Sequence, residues 1–135
     1  MTDLTNSTIQ RQNILNNKHA LRRIQEYVGL EGMLFEGEYK YTKAMVSSFF
    51  NIEERIIERY LEQFGNELKH NGYILIRGKA LKEMKLQFAP VINVGSKTTQ
   101  LGLFNFRSLL NLAMLLKESE TAQLLRSKIL KFQSY

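Results

Sequence analysis

A chain of 135 residues, 44% hydrophobic and 24% charged, is long enough for one domain with a real core and too apolar to remain disordered. Nineteen Lys and Arg against thirteen Asp and Glu give a net charge of +6, and the acids are twelve Glu and a single Asp, Asp3, in an end prone to fray. The absence of Cys excludes disulfides, thiolate metal sites and Cys nucleophiles, and the lone Asp argues against calcium loops, Asp-held magnesium and Ser-His-Asp triads.

In chain order, Ile9, Ile14, Leu15, Leu21, Ile24 and Val28 recur close to helical spacing and predict one helix over residues 1–28, stopped by Gly29. From Leu30 to Tyr41 the pattern changes. Gly32 and Gly37 bracket Met33, Leu34, Phe35 and Glu36, and Tyr39 and Tyr41 alternate with Lys40 and Thr42, which reads as a short hairpin. Thr42 is a plausible N-cap for a helix through Phe50, and Asn51 and Ile52 form a brief break. A second helix is expected from about Glu53 to Phe64, with Ile52, Ile56, Tyr60, Leu61 and Phe64 inward. Two amphipathic helices joined so briefly form a helix-turn-helix pattern.

Beyond Gly65, residues Glu67 to His70 fit one more turn, Asn71-Gly72 is a turn signal, and Tyr73 to Ile76 is a short strand, read as a wing or sheet edge. Lys79 to Phe88 fits a third short helix closed by Pro90. Residues 89–102 read as a loop or loose hairpin. Leu103 and Phe104 lead into a Leu-rich helix from Phe106 to Lys117 that must be central, and Ser119 caps a last helix. The apolar stripe of that helix (Leu124, Leu125, Ile129, Leu130, Phe132) runs almost to Tyr135, so either a longer protein or a partner on this stripe is expected. The fold class is α+β: a mainly helical single domain, with an embedded helix-turn-helix and a small β-hairpin or wing. Its parts are the helix at 1–28, the helix-turn-helix with wing at 42–88 and the helical pair at 103–135.

Catalysis and cofactors are not expected. Val94-Gly95-Ser96-Lys97-Thr98-Thr99 lacks both the Gly before Lys and the Gly five residues earlier that a phosphate-wrapping loop needs, and is better read as a polar loop whose Lys97 touches a nucleic-acid backbone. His19 and His70 have no neighbour at ligand spacing, and the adjacent Glu53 and Glu54 point apart on a helix. Tyr39, Tyr41 and Tyr73 could stack on bases or simply pack. No apolar run reaches the roughly 18 residues of a membrane span, and Thr2, Asp3, Asn6 and Ser7 do not resemble a signal peptide, so a cytoplasmic chain without a membrane partner is expected.

Double-stranded DNA is the expected partner. At the start of the second helix Arg55 and Arg59 lie four apart on one face and could read guanine, and Glu54 could accept from cytosine. The same segment is acidic: residues 51–72 carry −2 net, against +1 for 1–50 and +7 for 73–135. Phosphate attraction is therefore assigned to Arg77, Lys79, Lys82 and Lys85, which flank the third helix, or else these form only a solvated basic face. The competing expectation is an interaction or oligomerisation module in which the acidic second helix and the C-terminal helix meet protein partners or a second copy.

Tyr41-Thr42-Lys43-Ala44-Met45-Val46-Ser47-Ser48-Phe49-Phe50 with Ile56-Ile57-Glu58-Arg59-Tyr60-Leu61, and the later run from Leu103 to Glu120 continued by Ala122-Gln123-Leu124-Leu125-Arg126, resemble the N-terminal modules of prophage antirepressor-like proteins, the Bro-N, KilA-N and RhuM-like group. The resemblance covers about residues 40–132. It implies a DNA-binding module, often fused to a variable C-terminal domain and carried by phages, prophages or mobile defence loci. The acidic second helix departs from what base reading requires, and residues 1–30 have no counterpart.

Overall fold

In a computed structural model, the structure describes residues 3–89, 91–92 and 98–132. Among them, eight α-helices surround a four-stranded antiparallel sheet in the order β1-β2-β4-β3. This is the mainly helical α+β domain expected from the sequence.

The first helix is not continuous. A 3-10 turn, Leu4–Asn6, is capped by the Asp3 carboxylate; α1 (Thr8–Asn16) follows, and α2 (Lys18–Val28) starts afresh. Asn17 separates the two helices in an extended conformation, and its side chain accepts from the Ala20 N–H at 3.1 Å. Helical spacing of apolar residues was preserved across the break, but an Asn that can satisfy an orphan amide favours a new N-terminus over continuation. Gly29, at φ +61°, ends α2 in the left-handed conformation that glycine adopts without strain.

β1 (Met33–Phe35) and β2 (Glu38–Thr42) form the expected hairpin. Its two-residue turn has positive φ at both Glu36 and Gly37, matching the twist of the strands. Thr42 caps α3 (Lys43–Phe50) by accepting from the Met45 N–H. Asn51 closes that helix at φ +55°, and α4 (Glu54–Gln63) follows after Ile52 and Glu53. The helix-turn-helix is thus present, continued by α5 (Gly65–His70), β3 (Ile74–Arg77) and α6 (Gly78–Phe88).

Residues 100–104, read as loop and helix approach, form β4 (Gln100–Phe104), which pairs with β2 on one side and β3 on the other. Gly102 looks like a loop residue because its role is distant in sequence: a Cβ there would lie 2.0 Å from the Tyr73 hydroxyl, so the phenol can cross β4 only over a glycine. β3 is accordingly a sheet edge, separated from β4 in sequence by α6, and not one arm of a wing hairpin.

α7 (Phe106–Leu115) is buried along nearly its whole circumference and ends two residues before the expected Lys117, with Leu116 as its cap residue. Arg126, on α8 (Glu120–Phe132), donates to the Ala113 carbonyl at 2.8 Å and to the Leu116 carbonyl at 2.5 Å, placing a cation on the helix C-terminus. Ser119 caps α8 through the Ala122 N–H and also donates to the Phe50 carbonyl. Along α8, Ala122, Leu125 and Ile129 are buried in the domain's own core, and Phe132 meets the Tyr27 ring edge-on at 5.6 Å. Most of the stripe assigned to a partner is thereby covered from within.

Strand alternation divides the core. Tyr39, Tyr41, Tyr73 and Phe104 join the large cluster formed with the other helices, whereas Met33, Phe35, Ile76 and Leu103 join a smaller one under α6 with Leu81 and Met84. The sheet therefore lies between α6 and the main helical layer.

Candidate nucleic-acid interface

The outward side of α4 carries Glu54, Arg55, Glu58, Arg59 and Glu62, all exposed. This follows from Ile57 and Tyr60 facing the core with Ile56 and Leu61 beside them. The two arginines placed for groove reading are both engaged with carboxylates. Arg55 Nε donates to Glu53 Oε2 at 2.7 Å, and this bond, with the Glu53 charge, raises the guanidinium pKa above its usual value. Arg59 pairs with Glu118 and lies 5.5 Å from the Tyr60 ring centroid. One turn away, Lys43 Nζ meets Glu58 Oε1 at 2.7 Å. Glu54 occupies the first turn of α4, where a carboxylate complements the helix dipole. The groove at the helix junction, with Ser47, Ser48 and Asn51 on its wall, also carries Glu53 and Glu118. Exposed pairs of this kind contribute only about 0–1 kcal/mol and can exchange, but their carboxylates stay on the surface and repel phosphate.

The second set of cations is differently placed. Arg77 ends β3, and Lys79 and Lys82 stand three residues apart on the outer side of α6; all three are exposed, and none has a carboxylate partner among the described residues. Lys85 is half-buried, its Nζ donating to the Thr98 carbonyl at 3.3 Å. Arg77 occupies the N-cap position of α6 in extended conformation, and no side chain caps the helix. Gly78 opens the helix at φ +60° with nothing within 4 Å of where a Cβ would project. An uncapped helix start ringed by Arg and Lys offers amide donors and positive charge to a phosphate. The cations are legible in the sequence and the free amides are not, although Arg77-Gly78-Lys79 signals them: a helix entered through Gly with no Ser, Thr, Asp or Asn before it.

The structure does not unite the two sets. α4 belongs to the main helical layer and α6 to the opposite face of the sheet, so Arg55, Arg59 and Glu54 form one surface and Arg77, Lys79 and Lys82 another. Lys97 lies outside the described residues, as does most of the polar loop around it. Two of the three strand tyrosines are buried and cannot stack on bases. Tyr41 is fully buried with its hydroxyl on the Leu30 carbonyl at 2.8 Å, and Tyr73 packs on Phe104 at 4.8 Å between centroids. Tyr39 is half-buried. His19 and His70 are exposed, and no group of His, Cys, Asp or Glu among the described residues is placed to hold a metal ion. No described helix is long and apolar enough to cross a membrane.

Comparison of the chain with family models, with characterised proteins and with solved structures finds no significant match.

Proposed function

We propose that the chain binds double-stranded DNA and serves as the DNA-binding domain of a phage- or prophage-type transcription regulator or antirepressor. One observation carries this reading: the exposed cations Arg77, Lys79 and Lys82, without carboxylate partners among the described residues, surround the uncapped start of α6 in the half of the chain that holds +7. Affinity then comes from phosphate contact at the β3–α6 junction, and α4, screened by its own glutamates, supplies at most a secondary contact. The regulatory class rests on the resemblance of the runs 41–61 and 103–126.

Titration of a 30-base-pair duplex of arbitrary sequence tests it. Three phosphate contacts imply a loss of affinity of roughly 40-fold between about 50 and 200 mM salt. Lys79→Glu with Lys82→Glu should flatten that slope by about two contacts. Absence of binding in dilute salt, or an unchanged slope in the double variant, overturns the reading. The alternative of a protein-interaction module is favoured by the exposed acidic face of α4 (Glu53, Glu54, Glu58, Glu62), and it would be selected by a chain that ignores DNA at every salt concentration.

A further inference from the structure

The sheet has two free edges, and they carry opposite charge. β1 and β3 each pair on one side alone among the described residues. Residues 24–39, which contain β1 and its turn, hold Glu26, Glu31, Glu36 and Glu38, all exposed, and no Lys or Arg. Residues 68–82, which contain β3, hold Lys69, Arg77, Lys79 and Lys82, all exposed, and no Asp or Glu. Glu38 is paired with Lys40, whereas Glu31 and Glu36 have no cation partner among the described residues. The main chain of the two edges also matches. In a two-residue hairpin the flanking pair, here Phe35 and Glu38, exchanges both hydrogen bonds, and bonded and non-bonded pairs alternate from there across the observed register. That alternation turns the amide and carbonyl of Leu34 outward on β1, and those of Leu75 and Arg77 outward on β3. Met33, Phe35 and Ile76 point to the α6 side, so Leu34 (61% exposed) and Leu75 (44% exposed) both lie on the face of the main helices.

We propose that β3 of one copy pairs antiparallel with β1 of a second copy, head to tail, so that the sheet continues from copy to copy. Complementary charge selects this occupant. Pairing β3 with β3, or β1 with β1, sets like charges together, whereas β3 on β1 sets cations against carboxylates, and the acidic extended strand that the basic edge calls for is carried by the chain itself. One register satisfies every constraint at once. With Leu75 opposite the second copy's Leu34, the outward amides and carbonyls meet, the two exposed leucines lie side by side on the face of the main helices, and Ile74 and Ile76 fall beside Phe35 and Met33 on the face of α6. Glu31 of the second copy then falls opposite Gly78, between Arg77 and Lys79, and its Glu36 falls opposite Tyr73, toward Lys69. Leu34 borders a cleft with Leu21, Tyr39 and Phe106, so a further leucine meets apolar surface there.

The contact is heterologous: each copy uses one edge to give and the other to receive, so it adds copies in a row and does not stop at a dimer. So short a pairing buries less than the roughly 1,200 Å² of a standard stable interface, so each contact is weak and rows form at high protein concentration. The contact needs no nucleic acid and involves no residue of α4, and its failure would leave the DNA reading where it stands.

Sedimentation velocity of the whole chain at about 20 to 500 μM, without nucleic acid, tests this by blocking one edge at a time. Leu34→Pro and Leu75→Pro each remove an outward amide and no bond of the native ladder, a place where edge strands accept proline. Leu34→Lys and Leu75→Lys replace them if thermal melts show that a proline variant does not hold the fold. The expected result is that the parent forms dimers and larger species as concentration rises, that each variant alone is monomeric, and that an equimolar mixture of the two gives a one-to-one dimer and nothing larger, through its one intact β1 and one intact β3. Arg77→Glu and Glu31→Arg should each weaken association roughly three- to tenfold, and mixing those two chains should restore it. A parent that is monomeric at every concentration, a Leu34→Pro chain that dimerises by itself, or a mixture of the two edge variants that stays monomeric each overturns the proposal.

Discussion

The Tyr60 hydroxyl donates to Glu118 Oε1 at 2.6 Å and accepts from the Lys117 N–H at 3.1 Å, so the second helix of the helix-turn-helix is fastened to the turn that follows the central helix. Arg59 grips the same carboxylate. This fixes which side of α4 faces out, and it fixes an acidic one. Tyr60→Phe should lower stability by about 1 kcal/mol, since it removes both hydrogen bonds while Glu118 keeps its pair with Arg59. Urea denaturation measures the loss, and faster amide exchange confined at first to α4 would locate it.

Arg11, only 3% exposed, donates from Nε and Nη2 to both oxygens of Glu67 at 2.8 Å, and Asn111 donates to Glu67 Oε2 at 2.6 Å. Burial pushes the Glu67 carboxyl up, but these bonds and the Arg11 charge outweigh it and hold the pKa below the ordinary value. A carboxylate depressed in the folded state contributes stability that is full above its unfolded pKa of about 4.3 and is lost as pH falls through the lower folded value. Acid titration of stability should therefore steepen below about pH 4.3, and Glu67→Gln should flatten that limb. Arg11→Met should cost about 3 kcal/mol at neutral pH, because it strands a largely buried charge.

Burial pushes the Tyr41 phenol up to about 12 and also raises Tyr73. The unfolded chain ionises at about 10, so it binds fewer protons than the folded chain in the interval between the two values. Stability should fall as pH rises from about 10 to 12. Tyr41→Phe should be less stable at neutral pH by about 1 kcal/mol, through loss of the bond to the Leu30 carbonyl, and less sensitive to alkali. A variant with the parent's alkaline slope would contradict this.

Ser119 performs two tasks with one hydroxyl, accepting from Ala122 N–H and donating to the Phe50 carbonyl. Ser119→Ala should cost about 1–2 kcal/mol. Ser119→Asp restores the cap but sets a carboxylate against a carbonyl oxygen, and it should not recover the stability; full recovery would show that capping alone matters.

On the DNA reading, alanine at Lys79 and Lys82 should weaken duplex binding several-fold at moderate salt, whereas Arg55→Ala and Arg59→Ala should change it by less than about twofold. The physical reason is that Glu53 and Glu118 already neutralise the two arginines. Gel-shift titrations at one salt concentration rank the four variants, and a larger effect at Arg55 would return recognition to α4.

Local chemistry carried much of the fold. Thr42 and Ser119 announced helix starts because their hydroxyls serve amides three residues away, and the hairpin at 33–42 was legible from alternation and Gly37. Asn17 was the same kind of signal and was hidden under an unbroken apolar rhythm.

The sequence by itself determined the helix-turn-helix, the centrality of the Leu-rich helix and the segregation of charge into an acidic middle and a basic second half. Those properties depend on residues within a few positions of one another. Tertiary structure alone decided that residues 100–104 are a strand between β2 and β3, that α4 and α6 pack on opposite faces of the sheet, and that Arg59 meets Glu118. Strand pairing across more than twenty residues and the choice of sheet face arise from contacts that no local window contains, so the charge was readable from the chain and its geometry was not.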